Sequence, residues 1–397
     1  MRLVACLLLL AAAAAGGVEA RPAAAGLAPP LAELVLAVDR ATPGARRGDP
    51  ELAQARYDAA RALAERIGAR TAATCAERGA HRYAIAAVRA TERFDRLLPT
   101  DAGERAVTAA RTALARGACP GTIRPERVAV QPLPAQADVP ARAPRLDAGL
   151  GRRLAATTRG FDSAAAAWVH DLRTGRAAGS GETTPFPAAS TVKLGVLVAG
   201  LDRFGPRPER SPVAHDLAAL TGWSSNLAAN RLLRLLGGGD ERRGVQAVED
   251  RLRRLGAAAS TYPGAYRAGT VRALVPPVTG RVTTARDLGR VLVTLHAAAA
   301  GNRAAGRRAG LTQHEARVGL GLLLASERTG DNAGILGLAA RVPAAQKHGW
   351  TSSTRHSAAL VYAPAGPVVV VALTYRRGID PAGSRRFGAR VGRIALG

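Results

Sequence analysis

The sequence has almost no lysine. Of its 56 basic residues only Lys193 and Lys347 are lysine, and all the others are arginine. Aromatic residues make up 4% of the 397-residue chain and no clustered basic run interleaves with them, which argues against a nucleic-acid surface. Cysteine is limited to Cys6, Cys75 and Cys119, and neither cysteine nor histidine recurs at ligand spacing. No metal or other cofactor is expected. Serine is missing altogether before Ser163, the first of twelve. Beyond the first 20 residues no apolar run approaches the ~20 residues that a membrane-spanning helix needs. There is no Gly-x-Ser-x-Gly, which argues against a Ser-His-Asp esterase elbow.

What is present begins with Arg2, the apolar run LVACLLLLAAAAA, and then VEA before Arg21. That layout predicts a secretory signal peptide over residues 1–20, cleaved after Ala20, and hence a secreted or cell-envelope protein. An uncleaved anchor is the alternative; Cys6 has too few residues before it to suggest a lipid-attachment site. In an exported chain the remaining pair, Cys75 and Cys119, is expected to form a disulfide, with two buried thiols as the other reading. The net charge is +26: residues 21–145 carry 20 Arg against 13 acids (+7), and residues 146–397 carry 35 basic residues against 16 acids (+19). Such a field favours anionic partners, whether a carboxylate substrate or an anionic cell-wall polymer.

Residues 21–119 read as a helical domain. Apolar residues recur at helical spacing in ELAQARYDAARALAERIGAR and AERGAHRYAIAAVRATERFDRLL, and a further helix precedes Pro120–Gly121. Residues 120–145 are Pro-rich and without periodicity, the composition of a semi-extended linker. From 146 to 397 the texture changes. AAAAWVHDLRTGRAAGSG predicts a hairpin turning at Thr174–Gly175, and two late strands, RHSAALVYAP and PVVVVALTYRR, precede a closing helix. Strands at both ends with helices between them predict an α+β fold, an antiparallel sheet flanked by helices, in which the first and last strands pair.

Three stretches carry candidate chemistry. In AASTVKLGVLVAGL, Ser190 lies three residues before Lys193 at the start of an apolar helix. An ammonium there opposes the helix dipole and loses solvent, and both effects favour a neutral amine that could take the Ser190 proton. Arginine could not serve, because it stays protonated. TGWSSNLAANRLL starts a second helix with Ser224, Ser225 and Asn226; a plain N-cap serine is the simpler role for Ser224. In QKHGWTS, Lys347 opens a strand and Gly349 permits close approach.

Taken in order, these stretches resemble the Ser-x-x-Lys, Ser-Asp-Asn and Lys-Thr-Gly motifs of the class A β-lactamases and penicillin-binding proteins. The resemblance covers about residues 146–397. It implies the β-lactamase/transpeptidase-like fold and an active-site serine acting on β-lactams or peptidoglycan stem peptides of the D-Ala-D-Ala type. It assigns Ser190 as nucleophile, Lys193 as proton acceptor, Ser224 as proton relay and Asn226 as ligand of the substrate amide. Lys347, His348 and Gly349 would meet the substrate carboxylate, the Ser190 and Trp350 N–H groups would form the oxyanion hole, and Arg355 would be a second carboxylate contact.

The chain departs from that pattern at several points. Ser225 stands where the second motif has Asp, and His348 where the third has a hydroxyl residue. The 34-residue interval from Ser190 to Ser224 implies a trimmed helical lobe. Between Arg251 and Arg286 there is no Asp or Glu at all, although the resemblance calls for a loop Glu that activates the deacylating water. Glu249 and Asp250 precede the gap on an amphipathic helix with a solvated face. Slow deacylation is therefore expected. A non-enzymatic wall- or lactam-binding protein is the rival reading.

Overall fold

The computed structural model describes residues 26–70, 72–123, 128–268, 280–339 and 342–397. The expected signal peptide lies outside the described residues. Among them no helix is long and apolar enough to cross a membrane.

The N-terminal unit has four helices: α1 (Pro29–Arg46), α2 (Pro50–Gly68), α3 (Cys75–Asp95) and α4 (Asp101–Ala115). Asp49 caps α2 ahead of Pro50, which has no N–H to leave unpaired. Thr74 and Glu77 cap α3 reciprocally. The apolar faces meet around Val35, Tyr57, Leu63, Tyr83 and Val107. Arg56, fully buried, is held by Glu104 (2.8 Å) and by the Thr91 hydroxyl (2.8 Å). A disulfide joins Cys75 to Cys119, 44 residues apart. Closing a loop of that size constrains the unfolded chain by about 4 kcal/mol. The stop of α4 comes earlier than Pro120 suggests, at Gly117, whose φ of +68° suits glycine.

The second unit is a six-stranded sheet between helical layers. Its strands are β1 (Arg145–Leu146), β2 (Ala164–Asp171), β3 (Arg176–Ser180), β6 (Ala344–Trp350), β7 (Thr354–Ala363) and β8 (Gly366–Tyr375), in the order β1-β3-β2-β8-β7-β6. All pairs are antiparallel except β1 with β3, a short parallel edge. The early hairpin pairs with the last strand, Ala164 opposite Tyr375 through Asp171 opposite Val368. A second, two-stranded sheet joins β4 (Phe186–Pro187) to β5 (Val282–Thr283).

The run PVVVVALTY is buried on both faces, and its period of two divides it. Val369, Val371 and Leu373 enter one core with α6 (Lys193–Arg203), α10 (Ala285–Ala299) and α12 (Gln313–Leu324). Val368, Val370 and Ala372 enter the other with α5 (Ala148–Arg159) and α13 (Pro381–Leu396). The remaining helices are α7 (Ala214–Gly222), α8 (Asn226–Leu236), α9 (Glu241–Arg254) and α11 (Arg303–Ala309).

Where the Pro-rich stretch is described it is not a free tether. Val128, Val130, Leu133 and Ala141 pack on the main core, and backbone bonds tie Gln131 to Gly321 (3.3 Å) and Arg142 to Leu172 (2.8 Å). The helical unit lies directly on α7 and α8. Leu227 of α8 is part of its apolar cluster, Tyr57 donates to Asp216 (2.9 Å), and Arg231 bridges Asp216 and Glu65.

Candidate active site

Ser190 sits in the turn that feeds α6, and Lys193 is the first residue of that helix. The turn is tight: Thr191 N–H and its hydroxyl both donate to Ala188 O (3.1 and 2.7 Å), and Lys193 N–H to Ser190 O (3.2 Å). It also forces Ala189 to a φ of +48°, a region costly for a residue with a Cβ. Neighbours hold it there. Tyr266 hydroxyl donates to Ala189 O (2.8 Å), and Ala188 N–H donates to Arg281 O (3.0 Å). From the other side β6 presses in at Gly349, where an added Cβ would lie 2.9 Å from Ser190 N. The Ser190 N–H has no backbone acceptor among the described residues.

The second stretch forms the junction between α7 and α8. Ser225, not Ser224, is the N-cap, accepting from Ala228 N–H (3.1 Å). Ser224, freed from capping, takes a φ of +66° that turns its carbonyl and hydroxyl toward different partners. Its carbonyl accepts from Lys193 Nζ (2.5 Å) and its hydroxyl from Lys347 Nζ (2.7 Å). The two lysines of the chain thus meet on one serine.

Both amines are fully buried. Lys193 Nζ also donates to Asn226 Oδ1 (2.7 Å) and Ser225 O (3.2 Å), so its three protons have three acceptors. Among the described residues there is no hydrogen bond between Lys193 Nζ and the Ser190 hydroxyl. Burial depresses the Lys193 amine; the charge of Asp95 opposes this and Arg281 reinforces it, bringing the group down to about 7. Lys347 falls well below its ordinary value through burial and then the charge of Lys193. It sits in mid-strand on β6 and also donates to His348 O (3.0 Å). The His348 ring is buried, and neither nitrogen has a hydrogen-bond partner among the described residues. Burial, then the two lysines, holds it well below the usual imidazole range, and so neutral.

Arg355 is not joined to this group. Opposite Trp350 in the β6–β7 ladder, it stacks on that ring (5.4 Å), bonds Thr351 O and Thr354 O, and lies 3.7 Å from Asp331. Its Nη1 is engaged by its own turn and Nη2 faces Asp331, while Nε has no hydrogen-bond partner among the described residues.

The sequence reading missed the residues that close the site from the other side. Tyr266 lies over Lys193, with Nζ 4.4 Å from the ring centre, and the Arg281 guanidinium lies 3.9 Å from the same centre. Asn230 grips the Tyr266 backbone in both directions, accepting from its N–H (2.7 Å) and donating to its carbonyl (2.6 Å). Asn226 Nδ2 donates to Arg267 O (3.1 Å). Asn226 and Asn230 are four residues apart, one helical turn, so that spacing carried a signal for Asn230. The acid-free interval therefore supplies an aromatic ring beside the amine. Residues 269–279 lie outside the described residues, and their sequence contains no acid. Glu249 is not on a merely solvated face: it accepts from Tyr262 N–H (3.1 Å) and anchors the start of this loop.

A family model matches the chain in sequence, and solved structures share its fold. The Beta-lactamase enzyme family matches residues 149–208 and 205–397, well over half of the chain. No curated protein matches the chain in sequence. Among solved structures, that of PBP-A is similar with a TM-score of 0.50 at 19% identity, covering 64% of this chain and 98% of its own. A β-lactamase from Xanthomonas campestris gives 0.49 at 23% identity over 62% of this chain and 96% of that one. One from Sphaerobacter thermophilus gives 0.48 at 18% over 63% and 96%. The fold, and the family match across both faces of the sheet, lead to one conclusion: the chain belongs to the β-lactamase enzyme family.

Proposed function

We propose that the protein is an extracytoplasmic serine acyl-transferase or hydrolase in which Ser190 attacks a β-lactam or a D-Ala-D-Ala-type amide. The observation that carries this reading is the meeting of Lys193 and Lys347 on Ser224 beside the Ser190 turn. Ser190 Oγ bonds to the carbonyl carbon as its proton passes to neutral Lys193 Nζ. The C–N bond then breaks, and the nitrogen takes a proton relayed through Ser224 Oγ. The developing oxyanion is met by the Ser190 N–H and by Trp350 N–H on β6. Lys347 and the unpartnered His348 ring receive the substrate carboxylate, with Asn226 on its amide. Gly349 gives the space for that approach; Arg355 is a weaker candidate for the same carboxylate, because its turn already engages it.

Breaking the acyl-enzyme is less well provided for. Hydrolysis needs a base on the attacking water, and Tyr266 cannot serve at neutral pH, since burial raises its phenol above the ordinary value. The residues favour acylation followed by slow release. The rival, a wall- or lactam-binding protein without turnover, draws support from the complete hydrogen bonding of Lys193 as an ammonium. In either case residues 1–20 and the disulfide favour export, residues 21–119 and 146–397 act as two units, and the +19 charge favours an anionic wall polymer as neighbour.

A fluorescent penicillin tests the proposal. Covalent label on the wild type, lost in Ser190→Ala, is expected. No Ser190-dependent label sinks the acyl-enzyme reading. Fast turnover of a chromogenic lactam would show that a base has been overlooked.

A further inference from the structure

The second motif lacks its acid in sequence, because Ser225 occupies that position. In space a carboxylate is there nonetheless. Asp95, the last residue of α3 in the helical unit, places Oδ2 2.7 Å from Ser225 Oγ and 3.0 Å from Asn226 N. Its other oxygen, Oδ1, is shielded from solvent.

The placement is poor for α3 and good for α8. A negative charge at a helix C-terminus opposes the dipole, whereas at the N-terminus of α8 it meets the positive end and an otherwise unpaired N–H. Ser225 is oriented by the same contact. Its hydroxyl proton goes to Asp95, which leaves its lone pair for Ala228 N–H. Ser224, Ser225 and Asn226 together supply the three oxygens around Lys193 Nζ, so the residue that fixes this junction also fixes the amine. The helical unit is held against the junction by further contacts: Arg96 over the Trp223 ring (5.1 Å), His215 with Glu92 (2.5 Å), and Gln54 with Leu227 O (3.2 Å).

We propose that Asp95 is a positioning residue of the acyl-transfer site: the helical unit returns, from 130 positions away, the carboxylate that the second motif lost at 225. The catalytic lobe is then incomplete without its N-terminal partner. The inference rests on the acyl-enzyme reading for its catalytic consequence, but not for its electrostatic one. The charged and titratable groups facing Lys193 are Asp95, Arg281, Lys347, His348 and Tyr266. Asp95 is the acid among them, so neutralising it lowers the Lys193 midpoint.

Two measurements separate the two ideas. The first is the rate of labelling by fluorescent penicillin against pH for wild type, Asp95→Asn, Asp95→Ala and the double variant Asp95→Ala/Ser225→Asp. In Asp95→Asn the acid limb moves to lower pH, because the weaker base loses its proton sooner. In Asp95→Ala the plateau rate falls about tenfold, the effect of removing a hydrogen bond to a charged group. Returning the carboxylate in cis at 225 recovers most of that loss. The second measurement needs no lactam. With only two lysines, protein carrying 13C at the lysine ε-carbon gives two resonances, assigned through Lys347→Met. The Lys193 resonance titrates at lower pH in Asp95→Asn, whose near-isosteric side chain preserves the fold. An unmoved Lys193 midpoint, or labelling by Asp95→Asn and Asp95→Ala identical to wild type, overturns the proposal. If the wild type takes no label, the acyl-enzyme reading fails while the lysine titration still decides whether Asp95 governs Lys193.

Discussion

The two sides of the candidate site differ in what they offer a reaction. Toward α8 and β6, Lys193 is surrounded by polar groups: three oxygens on its nitrogen, Ser224 beyond them, then Lys347 and the His348 ring. Toward the loop that ends in Tyr266 it meets an aromatic face, with a guanidinium on the same ring. One side brings serines and amines within hydrogen-bond reach of one another. The other covers the amine with a ring and a cation and, among the described residues, sets no carboxylate there. The lesson is that, under the proposed function, forming and breaking an acyl-enzyme would be separated by the residues of a single loop.

Substitutions can break or sharpen that contrast. The largest effect is expected on the polar side: Lys193→Met removes the proton acceptor and should slow Ser190 labelling about 10³-fold, read from single-turnover kinetics. Gly349→Ala follows. Its Cβ would crowd Ser190 N and displace the nucleophile, for a loss of about 10²-fold without loss of the fold by circular dichroism. On the aromatic side, Tyr266→Glu places a carboxylate near Lys193 and should speed release of the acyl group by about tenfold or more in a pulse-chase of labelled protein. An unchanged release rate would show that the ring is not what limits deacylation.

The smallest effect is thermodynamic. The Lys193 amine falls from 10.5 unfolded to about 7 folded, so between those values the unfolded chain binds more protons. Stability must therefore rise with pH across that window. The melting temperature should climb by about 2 °C or more from pH 7 to pH 9 in the wild type and less in Lys193→Met. An equal slope in both would place the titration elsewhere.

Much of the architecture was legible because it follows local rules. The strand PVVVVALTYRR, the Thr174–Gly175 turn and the helical spacing in AERGAHRYAIAAVRATERFDRLL each name an element from adjacent residues. The lysines were legible for a different reason: in a chain that writes its positive charge as arginine, an amine marks a position where arginine would not serve. The missed features are long-range. Asp95 lies at the end of a helix whose period looks entirely solvated there, and only packing of α3 on α8 gives it a partner. Tyr266 stands in an irregular loop that Asn230 pins from a neighbouring helix. The simpler role weighed for Ser224, a plain N-cap, belongs instead to its neighbour Ser225. That matters because the left-handed φ of Ser224 is what points its two oxygens at two amines.

The scarcity of lysine has a further consequence for how the molecule is opened by proteases. An endoprotease specific for lysine has two targets in the whole sequence, one at the start of α6 and one within β6, and both side chains are fully buried. Neither bond can be cut while the sheet edge and the helix entry stay closed. Cleavage in the native state therefore requires the site to come apart, and under conditions of fast reclosing its rate follows the free energy of that opening. Because the rest of the surface contributes no background, the chain reports the integrity of its candidate site through the two lysines that meet there.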